Sequence, residues 1–478
     1  MWANFMPVRP MPNYFQSDNS LFDVVVIGGG VVGCAIARRF TLEGARVALL
    51  EKAPDILAGA SKGNSAILHT GFDAPPGSLE LACIQAGYEE YMAIKDGLNL
   101  PVLETGAAVV AWTTEELAKL DEIEGIARQN GVGDVERLRA AELLQREPYL
   151  SQRCLGAVLV PREHAIDPWS APLAYLHQAV ANGAKVYFNT EVQCGSFDTG
   201  EWKLHTNAGS FHARSVVNCA GLFGDVVDQR LLGQSEFMIK PRKGQFVVFD
   251  KVATRYLRTI ILPVPTERTK GVVVTRTIFG NLLVGPTAEE QDERERAATD
   301  SSVLKALVEK AAEIIPALQG VPVTATYAGL RPATERKEYR ISVHPDRRWI
   351  TVGGIRSTGL TAALGIAKHV LSLHSEFAGQ HQPSSDIIWP VVPNLAEHRP
   401  RDWQQPGRGE IVCHCELVTR REIEAAMDSP VPPGDLSGLK RRTRAGMGRC
   451  QGFYCNARLA ELTQKRLADS LAIGITHD

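Results

Sequence analysis

Four of the chain's nine cysteines lie near its C-terminus in two tight pairs, Cys413 and Cys415 in "VCHCE" and Cys450 and Cys455 in "GRCQGFYC". The pattern is C-x-C, 34 intervening residues, then C-x-x-x-x-C. Thiolates gathered this closely repel one another unless a cationic centre neutralises them, so the grouping implies a metal. Zinc would take four sulfurs as a closed structural site, and a [2Fe–2S] cluster would take the same four, two on each iron. Spacing alone leaves both open. The run "LKRRTRAGMGRC" sets Lys440, Arg441, Arg442, Arg444 and Arg449 beside the second pair, where they offset the charge of a cluster or form a solvated face.

A second constellation opens the chain. "DVVVIGGGVVGCAIARRF" runs an apolar strand into Gly28, Gly30 and Gly33 and then a helical pattern, and "ARVALLEK" gives a second strand ending at Glu51. An acid about 20 residues after a strand–glycine–helix unit is the dinucleotide fingerprint. Gly28 allows the tight turn, Gly30 lets backbone approach a pyrophosphate, and Gly33 lets helix and strand pack closely. Free N–H groups at the helix start favour the phosphates, and Glu51 accepts the ribose hydroxyls. The next crossing, "GASKGNSAILHTGFDAPPGSLE", is polar and glycine-rich where a flavin would continue, and supplies Ser61, Lys62, Asn64 and Ser65. Downstream, "SVVNCAGLFGD" breaks at Ala220 and Gly221, and "WITVGGIRSTGLTAALGIAKHV" is a further strand, turn and helix through Gly354, Arg356, Ser357, Thr358, Gly359 and Leu360. That helix start points positive charge at a reduced flavin. Val192 is counted with the cofactor-contacting positions. FAD is therefore expected, and the single fingerprint leaves no place for a separately bound nicotinamide.

The elements that must position these groups are read from composition and periodicity. At 478 residues and 44% hydrophobic, the chain can bury a large core in more than one domain. A formal charge of −2 gives no global electrostatic reason for nucleic-acid binding. Cys34, Cys83, Cys154, Cys194 and Cys219 are scattered singly, the pattern of reduced, buried thiols in a cytoplasmic protein. Residues 1–19 read as a disordered lead-in, because prolines and polar residues stand where a signal peptide needs an apolar core. No apolar run reaches the roughly 18 residues needed to span a bilayer, so membrane contact would be peripheral or through a partner. Helical spacing is clear in "TTEELAKLDEIEGIARQ", with Leu117, Leu120, Ile123 and Ile126 on one face, and in "DSSVLKALVEKAAEIIP". Both are assigned to ordinary core. "VTRREIEAAM" carries a capping box of Thr419 and Glu422 with a Val418–Ile423 staple. The proline-rich stretch after residue 375 reads as a linker laid over the first domain, since Ile387, Ile388 and Trp389 are costly to leave in water.

These segments, with "PRKGQFVVFD", "TKGVVVTRTIFGNLLVGPTAEE" and "YAGLRPATE", resemble the D-amino-acid-oxidase/glycerol-3-phosphate-dehydrogenase class of FAD enzymes, in its glycerol-3-phosphate and L-2-hydroxyglutarate dehydrogenase branch. Residues 410–456, with CxC and "TRAGMGRCQG", resemble the bacterioferritin-associated-ferredoxin type of [2Fe–2S] domain, which favours the cluster over zinc. The resemblance implies an α/β fold. A Rossmann-like FAD-binding domain (20–100, 165–235 and 325–375) would interleave with a mixed-sheet substrate domain (101–164 and 236–324). A linker (376–409) and a small helical [2Fe–2S]-binding domain (410–470) would follow. It also implies that His69, in an HxG motif, faces the flavin as base or hydrogen-bonding residue, and that Arg331 in "GLRP" holds the acidic end of a substrate. Arg356 is a second candidate cation, and Tyr327 and Lys243 are candidate pocket residues. "HTGFDAPPG" lacks the arginine with which glycerol-3-phosphate dehydrogenases continue this motif and looks like the hydroxy-acid branch, whereas the cysteine-rich tail matches anaerobic glycerol-3-phosphate enzymes. The expected function is oxidation of a small anionic alcohol, glycerol 3-phosphate or a 2-hydroxy acid, with electrons leaving through the cluster to a quinone or a partner redox subunit. An amine or amino-acid dehydrogenase of proline or opine type and a noncatalytic electron-transfer subunit are the alternatives.

Overall fold

The computed structural model describes residues 20–265, 271–464 and 466–468, and the expected lead-in lies outside them. The first strand, Leu21–Ile27, has apolar residues on both faces and becomes the middle of a parallel sheet. It pairs with Val47–Leu50 on one side and Gly209–Asn218 on the other, and Lys185–Tyr187 and Trp349–Gly353 extend the parallel block outward. Antiparallel strands complete an eight-stranded sheet. Helices Val31–Leu42, Leu79–Ile94, Ser170–Ala181 and Gly359–Ala378 bury one face in the largest core cluster. The opposite face packs around Trp202 and Trp349.

The second sheet has nine strands, with Ile239–Phe249 and Val323–Thr334 as its long antiparallel pair. Their register sets Phe246 opposite Tyr327 and Arg242 opposite Arg331. Partners across an antiparallel pair share a face, so one face of this ribbon carries both aromatics and both guanidiniums. The helices expected at Thr114–Gln129 and Ser301–Ile314 form and pack on this sheet. The expected domain division at residue 325 falls inside the strand Val323–Thr334, whose pairing places it whole in the second sheet. Among the described residues, no helix is long and apolar enough to cross a membrane. Four of the scattered cysteines are buried, but Cys194 is exposed, because it stands on the solvent side of an edge strand.

Residues 379–401 run as a strap across the first domain, tied by Ser384 N–H to Leu42 O (3.0 Å), Val392 N–H to Leu98 O (3.3 Å) and Glu397 N–H to Ile278 O (3.0 Å). Val392, Leu395 and Ala396 are its buried apolar side chains, and Arg401 is buried at its end. Ile387, Ile388 and Trp389, expected to be covered, stay 36%, 54% and 43% exposed. The strap is anchored there by backbone instead, through Ile388 and the side chains of Gln178 and Asn182.

The C-terminal domain is a two-stranded ribbon, Ile411–Cys413 with Val418–Thr419, and helices Arg420–Met427, Leu436–Thr443 and Asn456–Leu462 around one small core. The capping box forms, with Thr419 and Glu422 exchanging bonds, and Val418 and Ile423 are both buried. The basic run does not surround the cysteines as its proximity in sequence suggests. Arg442 grips the fully buried Asp55 of the first domain with two bonds of 2.6 and 2.7 Å, and Arg441 donates to Ile56 O at 3.0 Å. A Cβ on Gly438 would stand 1.5 Å from the Asp55 carboxylate, so helix and carboxylate meet without room for a side chain. Arg444 binds Glu416 at 2.8 Å and lies over the Phe279 ring, and Arg449 reaches Asp250 at 3.1 Å. The run is chiefly an interdomain clamp.

Removing one partner of a buried ion pair strands a charge, so Arg442→Ala is expected to destabilise the protein by about 3–5 kcal/mol. Denaturant unfolding would check this, with Asp55→Asn/Arg442→Leu recovering most of the loss. His177 is buried at the same junction, and burial, then the nearby Arg442 charge, pushes its imidazole down to about 4. The unfolded chain binds that proton below about pH 6.5 and the folded chain does not. The resulting stability is complete above pH 6.5 and declines by about 3 kcal/mol as pH falls toward 4. His177→Leu should flatten this part of the profile in unfolding titrations.

Candidate active site and cluster-binding loop

A cavity opens between the carboxyl ends of the parallel strands and the long ribbon of the second sheet, the position where open α/β sheets take ligands. Gly28 and Gly30 line its floor, with Gly28 at φ +108°, a conformation that L side chains avoid. Gly33 lies beneath, where a Cβ would stand 1.9 Å from Gly28 O, so its role is helix–turn packing. The Ser61 hydroxyl accepts Val31 N–H (3.0 Å) at the start of the first helix, where a phosphate oxygen would be welcome. Glu51 accepts Gly29 N–H (2.6 Å) and Ala53 N–H (2.8 Å); burial raises its pKa and these two donors oppose the rise. Val192, Ala220, Gly221, Asn64 and Ser65 line the cavity, as do Gly354, Arg356, Ser357, Gly359 and Leu360. Thr358 does not, since its hydroxyl binds Glu80 (2.7 Å) and Tyr339 (2.6 Å). Lys62 also lines it, its pKa lowered by burial and by Arg441. Backbone N–H groups, a glycine cradle and an acid at ribose distance along one cleft fit FAD.

Tyr327 stacks on Phe246 at 4.6 Å and donates to Asn64 O at 2.8 Å, joining the ribbon to the crossing. Arg331 lines the same space. Burial first, and then the charges of Arg242 and Arg356, lower its pKa to about 10. It donates to Thr287 O at 2.9 Å, and among the described residues no carboxylate neutralises it. Arg356 is lowered by burial and by Arg242, while Glu80 and Glu338 oppose. Lys243 is held away by Glu289 at 3.0 Å. Arg331 and Arg356 both line the cleft, whereas Arg242, outside the lining and paired with Glu290 at 3.1 Å, adds its charge from behind.

His69 stands beside this cavity and not in its lining, with its N–H on Thr361 Oγ1 (3.0 Å) at the start of the last flavin-domain helix. Its Nδ1 lies 2.8 Å from Glu163, a carboxylate with no exposure. Glu163 also accepts Thr70 N–H (2.5 Å) and Thr70 Oγ1 (2.8 Å). Sequence reading missed Glu163, whose only signal is an acid beside a histidine in "PREHAID".

The four C-terminal cysteines come together, and none is in a disulfide. The thiols of Cys415 and Cys450 are in hydrogen-bonding contact, as are those of Cys413 and Cys455. Burial and the neighbouring thiols push Cys455 up to about 12. The amides of Tyr454, Gly452 and Phe453 donate to Cys450 and lower its pKa. Two pairs of sulfurs with amide donors fit the two irons of a [2Fe–2S] cluster.

Residues 23–373 match the FAD dependent oxidoreductase family (DAO), and residues 411–465 match the BFD-like [2Fe-2S] binding domain. Over 455 residues the chain is 32% identical to glycerol 3-phosphate dehydrogenase of Caloramator mitchellensis, covering 94% of this chain and 95% of that one. L-2-hydroxyglutarate dehydrogenase of Indibacter alkaliphilus is 30% identical over 274 residues, 56% of this chain and 68% of that one. The dithionite-reduced L-alpha-glycerophosphate oxidase of Mycoplasma pneumoniae with FAD bound superposes with a TM-score of 0.72 at 26% identity, covering 79% of this chain and 100% of that one. The expected α/β flavin fold, FAD and the [2Fe–2S] cluster are thereby borne out, and zinc is set aside. The chain belongs to the FAD dependent oxidoreductase family, as a member resembling the glycerol-3-phosphate and 2-hydroxyglutarate dehydrogenases that act on CH–OH donors, with a BFD-like [2Fe–2S] domain at its C-terminus.

Proposed function

We propose that the protein is a glycerol-3-phosphate dehydrogenase that oxidises the secondary alcohol of its substrate to a ketone and releases the electrons singly through its cluster to an external acceptor. The observation that carries this reading is Arg331, without a carboxylate partner among the described residues, lining the same cleft as Arg356, a pair of cations suited to a phosphate dianion. The relative matched along nearly the whole chain, cluster domain included, is named for this substrate, whereas the 2-hydroxyglutarate relative matches only 56% of it. Bound FAD supplies the two-electron acceptor, and the cluster takes electrons one at a time. The chain's own residues do the rest. Ser61, the helix start at Val31 and Glu51 hold the pyrophosphate and ribose. Arg331 anchors the substrate phosphate and orients the carbon bearing the hydroxyl. His69 takes the hydroxyl proton, and Glu163, by accepting Nδ1–H, makes Nε2 the basic nitrogen and stabilises the imidazolium that results.

Anaerobic titration with glycerol 3-phosphate, L-2-hydroxyglutarate and proline tests the reading. Glycerol 3-phosphate should bleach the flavin and then raise a reduced-cluster EPR signal, and bleaching by either of the other two alone would replace the assignment.

Two substitutions separate binding from chemistry. Arg331→Ala removes a charged hydrogen bond and should raise KM about 10–100-fold with a smaller change in kcat. Glu163→Gln should instead lower kcat by about 100-fold or more with KM nearly unchanged. Steady-state kinetics with an artificial dye acceptor reads both.

A further inference from the structure

The reading of the cluster as the exit for electrons requires a place where the acceptor touches the protein, and one surface has the chemistry for it. Phe453 and Tyr454 are 79% and 73% exposed and pack edge to face at 5.1 Å. Both lie in the loop between Cys450 and Cys455, within two positions of a cluster cysteine, or about 8 Å of chain. Burying such a pair against a partner is favourable, and leaving it in water is not.

A cationic groove begins next to this tip. Arg449, 69% exposed, joins the loop to Asp250, and Gln451 donates to Thr324 O at 3.1 Å, so loop and second sheet form one continuous face. Residue 251 then starts a groove lined by Lys251, Arg255, Arg258 and Arg276, with Val252 at its lip 47% exposed. Lys251 is held by Glu397 and Glu416. Glu147, whose charge acts on Arg276, is buried and accepts from the N–H groups of Arg258 and Thr259. Among the described residues Arg255, Arg258 and Arg276 have no carboxylate partner, and Nε of Arg276 is buried without a hydrogen bond. In a chain whose formal charge is −2, this is a local concentration of positive charge and not a global one.

We infer that the aromatic tip and the groove together are the docking site of an acidic one-electron redox protein, the tip lying over the cluster and the groove receiving the partner's carboxylates. Three guanidiniums without carboxylate partners among the described residues, clustered at one side of the cluster loop, match a local patch of carboxylates on a folded partner. Each docking moves one electron from the reduced cluster to the partner's centre, with no bond made or broken and no proton transferred. The inference rests on electrons leaving through the cluster and is independent of which substrate supplies them.

The test uses the holoenzyme reduced anaerobically with dithionite, so a wrong substrate assignment cannot affect it. The probes are acidic cytochrome b5 and basic cytochrome c, with haem reduction followed optically and binding of the oxidised proteins measured by calorimetry without turnover. Cytochrome b5 should bind and be reduced faster than cytochrome c, and its rate should fall about tenfold or more from low to high salt. Arg255→Glu/Arg258→Glu should weaken binding and slow haem reduction about tenfold or more, while substrate bleaching of the flavin is unchanged, and Phe453→Ala/Tyr454→Ala, which keeps the amides that face Cys450, should weaken calorimetric binding of oxidised cytochrome b5 by a similar factor. Preference for cytochrome c, or indifference of cytochrome b5 to both variants, overturns the inference. So does self-association, or sedimentation with anionic phospholipid vesicles, that the aromatic double variant abolishes.

Discussion

A carboxylate with no exposure cannot stay charged without a partner, and the partner of Asp55 lies 387 residues away in Arg442. This constraint decides how the molecule is assembled. Asp55 follows the fingerprint acid by four positions, in the segment whose Leu57 N–H bonds Gly29 O (3.0 Å). Because the guanidinium that satisfies it projects from the cluster domain, that domain is seated on the dinucleotide turn itself and is not a freely tethered module. Arg441, Arg444 and Arg449 spread the attachment over both sheets. An ion pair of this kind adds little net stability, but it penalises every other seating of the domain.

The flavin cleft depends on two sheets whose edges meet. Gly63 and Gly329 approach so closely that a Cβ on Gly63 would stand 2.9 Å from the other backbone. The Tyr327 bond to Asn64 O pins the ribbon at the same level. The register that puts Arg331 opposite Arg242 then fixes the Arg331 guanidinium at a set height above the crossing. Chemistry at this site needs no long reach by a flexible side chain, since strand pairing delivers the cations.

What the sequence made legible was local. The fingerprint glycines, the Thr419–Glu422 box and the cysteine pairs declare themselves because their geometry follows from residues a few positions apart, and Glu51 because one βαβ unit sets its distance from the glycines. Glu163 and Asp55 were invisible because each is defined by a partner 94 or 387 residues away. The basic run was legible as charge but not as direction, and adjacency to the cysteines suggested the wrong neighbour. Ile387, Ile388 and Trp389 misled because hydrophobicity states a preference for burial, whereas the strap is placed by backbone bonds to Gln178 and Asn182. The strand Val323–Thr334 hid its sheet because pairing partners carry no sequence mark.

The strand Trp349–Gly353 lies beside Gly209–Asn218, although the intervening chain builds most of the second sheet. During synthesis the Val216–Asn218 end of that strand must wait unpaired while six strands of the second sheet are translated, and it is closed only after residue 353 leaves the ribosome.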